Sequence, residues 1–264
     1  MPERSAVYDM LKTGGADFLA SLAFLTRLPL PRDMAYIPLA QAMRAFPVVG
    51  AAIGAAAGVL LTTLQALGLP SLAAAGLTLA GLALLTGALH EDGLADVADG
   101  FGGGRDRARK LEIMRDSRIG TYGVVALALI LVIRAACFAD IAGQSWWLVI
   151  CILAAAGAFS RALVVWLMAT TDPARGDSLS AAAGRPSRDI LLAALLVGAV
   201  AAAVLSYVTV DLFGAAVIVL AGAVPAAVIR MLALRQIGGH TGDVCGALIV
   251  VSETAMLAAA SIFV

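Results

Sequence analysis

The run WWLVICILAAAGAFSRALVVWLMA, Trp146 to Ala169, carries one charge, Arg161, in an otherwise apolar stretch. As a helix rising 1.5 Å per residue it is long enough to cross a bilayer, which takes about 20 mostly apolar residues. It is typical of the chain. Hydrophobic residues make up 61% of the 264, charged residues only 14%, and mean hydropathy is +0.96. A chain with about half the usual charged share cannot clothe itself in polar surface, so water is not its solvent.

Six further apolar runs accompany this one, near 46–67, 71–90, 121–140, 189–209, 212–234 and 244–263. The expected fold is all-α, a polytopic integral membrane bundle of about seven transmembrane helices. The apolar stretch 17–30 is shorter, carries Arg27 and runs into Pro29 and Pro31; it suits a short N-terminal interfacial or re-entrant helix. Ala and Gly dominate the spans and favour close approach between helices. The period-two alternation of a membrane β-barrel is missing. The first 20 residues, with Glu3, Arg4, Asp9, Lys12 and Asp17, do not read as a signal peptide.

Basic residues are distributed unevenly between the runs. Five precede residue 45, six lie in 91–119, Arg175, Arg185 and Arg188 lie in 170–188, and Arg235 follows the sixth run. The connections near 68–70, 141–145 and 210–211 have none. By the positive-inside rule the N-terminus and the large polar loops are cytoplasmic and the C-terminus is outside. One integral membrane catalytic domain, 1–264, is expected, with active-site loops at about 91–119, 170–188 and 235–243. A transporter would place ionisable groups near the midplane and often shows internal repeats. No repeat relates the two halves, although Arg134 and Arg161 do fall inside spans. The zero net charge gives no reason to expect a nucleic-acid partner, and Cys137, Cys151 and Cys245 lack metal-binding spacing.

The polar exception is GALHEDGLADVADGFGGGRDRARKLEIMRDSRIGTYG, Gly87 to Gly123. Asp92, Asp96 and Asp99 stand at i, i+4 and i+7, on one side of a helix. Carboxylates ~6 Å apart repel by about 3 kcal/mol per pair at an effective dielectric of 20. Water, nearby arginines or a divalent cation must offset this. Mg²⁺ suits the position, because it binds through one or two carboxylates plus substrate phosphates. The plain alternative is a solvated helix end paired with Arg105, Arg107 and Arg109. Three successive glycines, Gly102 to Gly104, argue for close approach of the backbone to a ligand. Asp106 reads as the N-cap of a short helix, Arg107 to Asp116, with Leu111 and Met114 on its apolar side. GGHTGD, 238–243, reads either as an anion site at a helix start or as a cap, turn and cap between two spans.

HEDGLADVADGFGGG followed by RARKLEIMRDSRIGTYGVVAL closely resembles the signature of cobalamin synthase, the cobinamide-GDP ribazoletransferase family. FLTRLPLP (Phe24 to Pro31), FPVVGAAIG (Phe46 to Gly54) and GGHTGDVCGA (Gly238 to Ala247) extend the likeness over nearly the whole chain. Glu91-Asp92 stands where Leu-Asp is the family's more usual form.

The resemblance implies a bacterial inner-membrane transferase. Adenosylcobinamide-GDP meets α-ribazole or its 5′-phosphate, a ribose hydroxyl attacks phosphorus, GMP leaves, and adenosylcobalamin or its phosphate forms with Mg²⁺ as cofactor. Catalytic roles are expected at Asp92, Asp96, Asp99, Asp116 and Arg118, and metal ligation at Asp92, Asp96, Asp99 and Asp243. Asp116 has two readings, orienting an arginine or accepting the hydroxyl proton. Substrate contacts are expected at Arg27, Gly102, Gly103, Arg105, Arg115, Ser117, Arg161, Arg175, Gly239, Thr241 and Gly242. Arg161 must face the bundle and pair, with Glu253 as its partner, either structurally or beside substrate. The expected partners are the two substrates and the bilayer, with a homo-oligomer admitted. The alternatives are a CDP-alcohol phosphotransferase-like enzyme, whose D-x-x-D-G opening Asp96 to Gly100 matches before Gly103-Gly104 departs from it, and a small-solute transporter.

Overall fold

A computed structural model describes residues 2–29 and 37–264. In chain order the helices are α1 (Pro2–Leu25), α2 (Leu39–Ala42), a 3₁₀ turn (Met43–Ala45), α3 (Phe46–Ala66), α4 (Ser71–Thr86), α5 (Leu89–Gly103) and α6 (Arg107–Ile113). There follow α7 (Thr121–Ile141), α8 (Trp146–Thr170), α9 (Leu179–Ala183), α10 (Arg188–Thr209), α11 (Leu212–Ile237) and α12 (Gly242–Ala260). Among the described residues there is no sheet, only an isolated bridge between Pro173 and His240.

Six helical segments are long and apolar enough to cross a membrane: Leu39–Ala66, α7, α8, Arg188–Val208, α11 and α12. The seventh expected run, 71–90, departs from the sequence expectation. It stops at Thr86, and α5 turns away from α4 by 91°. Gly87 (φ 69°) and Ala88 (φ 54°) both take left-handed backbone. Glycine does this freely, whereas Ala pays about 1 kcal/mol. Neighbours hold the elbow: the Ala88 amide donates to Ala83 O at 2.8 Å and the Arg27 amide to Leu85 O at 2.7 Å. α4, 16 residues long, makes a seventh crossing only when counted with α5 as one bent span, and α5 carries the polar arm across the end of the bundle.

The 17–30 stretch differs too. Its apolar part, Gly14–Leu25, completes the 24-residue α1, and the chain leaves the helix at Thr26. The remainder of FLTRLPLP, from Leu30 to Pro31, lies outside the described residues. Asp17 of α1 is buried and pairs with Arg44, while the Ser21 hydroxyl donates to Ala42 O at 2.8 Å.

Helix α8 is the bundle's axis, with 83% of its apolar window buried against 22–28% for α7, α10 and α11. Those three show Leu and Val outward (Leu129, Val132, Leu196, Val204, Leu220, Val224). Such a surface is solvated by lipid and costs nothing there. α3 meets α8 backbone to backbone through Gly50, Gly54 and Gly58, one turn apart. A Cβ on Gly50 would lie 2.1 Å from Gly157 O, and one on Gly54 2.0 Å from Leu153 O. Small residues at this spacing are how membrane helices gain dispersion contacts without a hydrophobic driving force.

Candidate active site at one end of the bundle

The polar segments 104–120, 171–187 and 238–241 all lie at the end of the bundle where α5 crosses. α5 reaches α12 because glycine lines both sides. A Cβ on Gly93 would sit 2.7 Å from Asp243 O, and one on Gly246 would sit 3.2 Å from His90 Cα. This packing carries Asp92 and Asp96 towards Asp243. The Asp96 carboxyl is pushed up to about 7, first by burial and then by the Asp243, Asp92 and Asp99 charges, with Arg175 opposing. The cluster is therefore short of positive charge.

Asp99, expected beside its two neighbours, spends both oxygens elsewhere. Oδ2 accepts the Gly120 amide at 2.7 Å and Oδ1 the Gly123 amide at 2.9 Å. α7 begins at Gly120 without a side-chain cap of its own, so Asp99 caps it from another helix. Among the described residues no three His, Cys, Asp or Glu side chains converge closely enough to hold a metal ion by themselves.

Asp92 and Asp243 line a cavity of about 150 Å³, together with Arg175, Ser178, Ser180 and Gly242 on its polar side. The Arg175 guanidinium donates from Nη1 to Leu111 O at 3.2 Å, its Nη2 is 3.7 Å from Asp243 Oδ2, and its buried Nε has no partner. Two loops are locked together beneath it. The His240 amide donates to Asp172 O at 2.9 Å, the Ala174 amide donates to His240 O at 2.8 Å, and Thr171 Oγ1 lies 2.9 Å from His240 Nδ1. Gly239 must be glycine, since a Cβ would meet Asp172 O at 2.1 Å. GGHTGD also caps two helices: Gly238 (φ 74°) ends α11, and Thr241 Oγ1 accepts the Val244 amide at 3.2 Å to start α12. His240 is the clasp between the two loops.

The remaining arginines lie further out. Arg115 pairs in a fork with Asp177, and Arg118 with Asp116 at 2.7 Å. Arg118 holds the Asp116 carboxyl down at about 2, where it has almost no affinity for a proton at neutral pH. Of its two readings, the one visible in the geometry is the pairing that orients Arg118. Asp116 and Arg118 border a separate, open groove of about 320 Å³ with Asp99, Gly103 and Tyr122. Ser117 is exposed nearby, and Arg105 is exposed with no partner among the described residues. Arg27 packs on the elbow at Gly87. Gly102 faces the Tyr122 ring and Gly104 faces Lys110, each too close for a Cβ. Packing within the protein thus accounts for two of the three glycines. The short helix stops at Ile113, three residues before the expected end, with Asp106 as N-cap and Met114 buried.

Deeper in the bundle Arg161 does pair with Glu253, and Arg134 reaches Glu253 at 3.2 Å and Glu91 at 3.4 Å. Ser160 donates to Glu253 Oε1 at 3.2 Å. Two arginines and two glutamates balance. Arg161 is 2% exposed and does not line the Asp92 cavity. Glu91 and His90 went unassigned on sequence. Glu91 faces Arg134, away from the other acids, and His90 lies between this network and the cavity.

Fold and site together define a multi-span helical membrane protein with a carboxylate- and arginine-lined cavity at one end. The chain belongs to the family described as cobalamin-5-phosphate synthase, whose match runs over residues 17–261. Among its relatives are proteins named adenosylcobinamide-GDP ribazoletransferase from Azorhizobium caulinodans and Mesorhizobium japonicum. Each is 45% identical, over 248 and 251 residues, covering 92% and 93% of this chain and 94% and 93% of the relative. A third, from Bradyrhizobium diazoefficiens, is 45% identical over 250 residues and 94% of each chain. No solved structure matches.

Proposed function

We propose that this protein joins adenosylcobinamide-GDP to α-ribazole or α-ribazole 5′-phosphate, releasing GMP and forming adenosylcobalamin or its 5′-phosphate. The observation that carries the reading is the full-length family match, at 45% identity to proteins named for that transfer. The site suits the chemistry. Displacement at a diphosphate is accelerated mainly by positioning and by neutralising charge. Arg175 lines the cavity with an unpartnered Nε and can take a phosphate oxygen. Arg115 and Arg118 are held only by exposed pairs, which water and salt screen, and so can turn to phosphate.

Mg²⁺ is part of the proposal. Asp92, Asp96 and Asp243 supply hard oxygen donors, and the raised Asp96 carboxyl marks a surplus of negative charge that a cation relieves. With too few side chains converging to cage an ion, substrate phosphates would complete the ligand set. When bound, Mg²⁺ neutralises phosphate oxygens and stabilises departing GMP. Asp99 holds α5 against α7 and so fixes the other two acids in place.

Purified protein given adenosylcobinamide-GDP, α-ribazole and Mg²⁺ is expected to release GMP only when both substrates are present, and EDTA is expected to stop it. CMP release from CDP-diacylglycerol with the corrinoid inert would overturn the reading. Solute flux in liposomes without any covalent product would overturn it too.

The same reading places the protein in the bacterial inner membrane with the cavity facing the cytoplasm. Its support is that Arg105 to Arg118, Arg175, Arg185, Arg188 and Arg235 gather at one end, while the turns at 68–70, 141–145 and 210–211 carry no Lys or Arg. In a variant without the three native cysteines, Gly176→Cys, exposed in the 171–187 segment, should react with an impermeant thiol reagent from the cytoplasmic side and Gly143→Cys from the other. The reverse labelling would invert the topology.

A further inference from the structure

The cavity at Asp92 has two unlike ends. Its carboxylates, Arg175 and the serines occupy one side. The other is built from Phe24, Met43, Phe46, Val164, Met168 and Ile249. Phe24 and Phe46 stack with ring centroids 6.0 Å apart and planes 16° from parallel. Met43 and Phe46 are each 1% exposed, Val164 and Ile249 3%. These side chains belong to α1, the 3₁₀ turn, α3, α8 and α12, so five separate elements converge on one apolar recess. The charged end alone would serve any phosphate ester, and the apolar end demands more of the ligand.

We propose that this recess receives the aromatic base of the nucleoside acceptor, with its ribose directed to Asp92, Asp243 and Arg175. The proposal rests on the transfer reaction set out above. Of the groups that reaction brings together, the acceptor's benzimidazole-type base is flat and largely apolar. Guanine carries donors and acceptors around its edge, which this recess would leave unpaired after stripping them of water. Met43, Phe46, Val164 and Ile249 are nearly closed off from the surface, a setting that suits a flat bicyclic base and offers no broad face to a corrin ring. Two thioethers, Met43 and Met168, let the wall adapt to substituents on the base and favour aromatic contact. Specificity follows from the same asymmetry: a benzimidazole riboside is accepted, and an adenine riboside is disfavoured because its amino group and ring nitrogens lose water without replacement partners.

The test uses full-length protein in detergent and reads binding of each substrate alone by calorimetry, apart from turnover. The wild-type protein should bind α-ribazole at least tenfold more tightly than the adenine α-riboside. Ala183→Trp, on the short peripheral α9 at the cavity wall, fills the recess and should weaken α-ribazole at least tenfold while leaving adenosylcobinamide-GDP within threefold. Met168→Ala, which enlarges the recess, should narrow the preference for benzimidazole over adenine at least threefold. Changes smaller than these, or a loss confined to adenosylcobinamide-GDP, would overturn the assignment even if the wild-type protein still makes product. Absence of product from the wild-type protein, with both substrates bound, would instead overturn the transfer reaction itself.

Discussion

Asp96→Asn is expected to lower turnover by about a hundredfold or more, the scale of losing one major electrostatic contribution in a preorganised site, while the protein melts no earlier than wild type. The split follows from the cluster's geometry. Burial first, and then the charges of Asp243, Asp92 and Asp99, raise the Asp96 carboxyl to about 7. Its charge therefore works against folding and is there for another purpose. The linkage has a definite sign. Between the usual 3.8 and about 7 the folded protein binds the extra proton, so metal-free stability falls as pH rises through that window. Asn at 96 should flatten that dependence. A thermal midpoint that drops with activity would make Asp96 structural, and near-normal turnover at saturating Mg²⁺ would remove it from the site. Mutation often reveals such an exchange of stability for function.

The second large effect is expected at Glu253→Gln. Its carboxylate faces both Arg161 and Arg134 among buried side chains. Removing one partner of a buried ion pair costs about 3–5 kcal/mol, because the other charge is left without compensation. Little folded protein should be recovered, and what is recovered should melt early. Glu253→Gln combined with Arg161→Met restores the balance of two charges, Arg134 and Glu91, and should regain most of the loss. An unchanged melt in the single variant, or a double variant as unstable as the single, would show that the pairing does not support the fold. The outcome is read by the temperature dependence of monodispersity in detergent.

The spans were legible because a bilayer imposes a length on every crossing, and six runs passed that test wherever it was applied. The elbow was not legible. Gly87 hints at a turn, but Ala88 has no feature that announces a left-handed backbone, and only the surrounding contacts hold it there. At the site, spacing grouped Asp92, Asp96 and Asp99 on one side of α5. It could not say that Gly120 and Gly123, on another helix, would claim both oxygens of Asp99. Likewise Glu91 follows His90 and precedes Asp92 in sequence yet faces an arginine 43 residues further on. The pairing of Arg161 with Glu253 was legible, since a cation in a span needs an anion and few are available at that depth. His240 was not, because a clasp between loops is a backbone arrangement with no side-chain signature. The triple glycine carried a signal of close approach, and spacing could not say that Gly102 and Gly104 would meet Tyr122 and Lys110.

The buried quartet also has a history within each round of synthesis. Arg134 can meet Glu91 as soon as α7 enters, because Glu91 precedes it. Arg161 arrives on α8 with only Glu91, already paired with Arg134, near it, and Glu253 emerges 119 residues after Arg134. An arginine near the middle of a lone helix costs about 2.5–3.5 kcal/mol at insertion, and α8 tolerates this because its other residues are so apolar. Until α12 docks, the nascent bundle carries an unmatched cation at its axis. α12 therefore works as a keystone: it brings the anion that neutralises the interior and, in its first turn, the aspartate that lines the cavity. A chain interrupted before α12 is left with two buried arginines against the single carboxylate of Glu91, so its bundle stays unlocked.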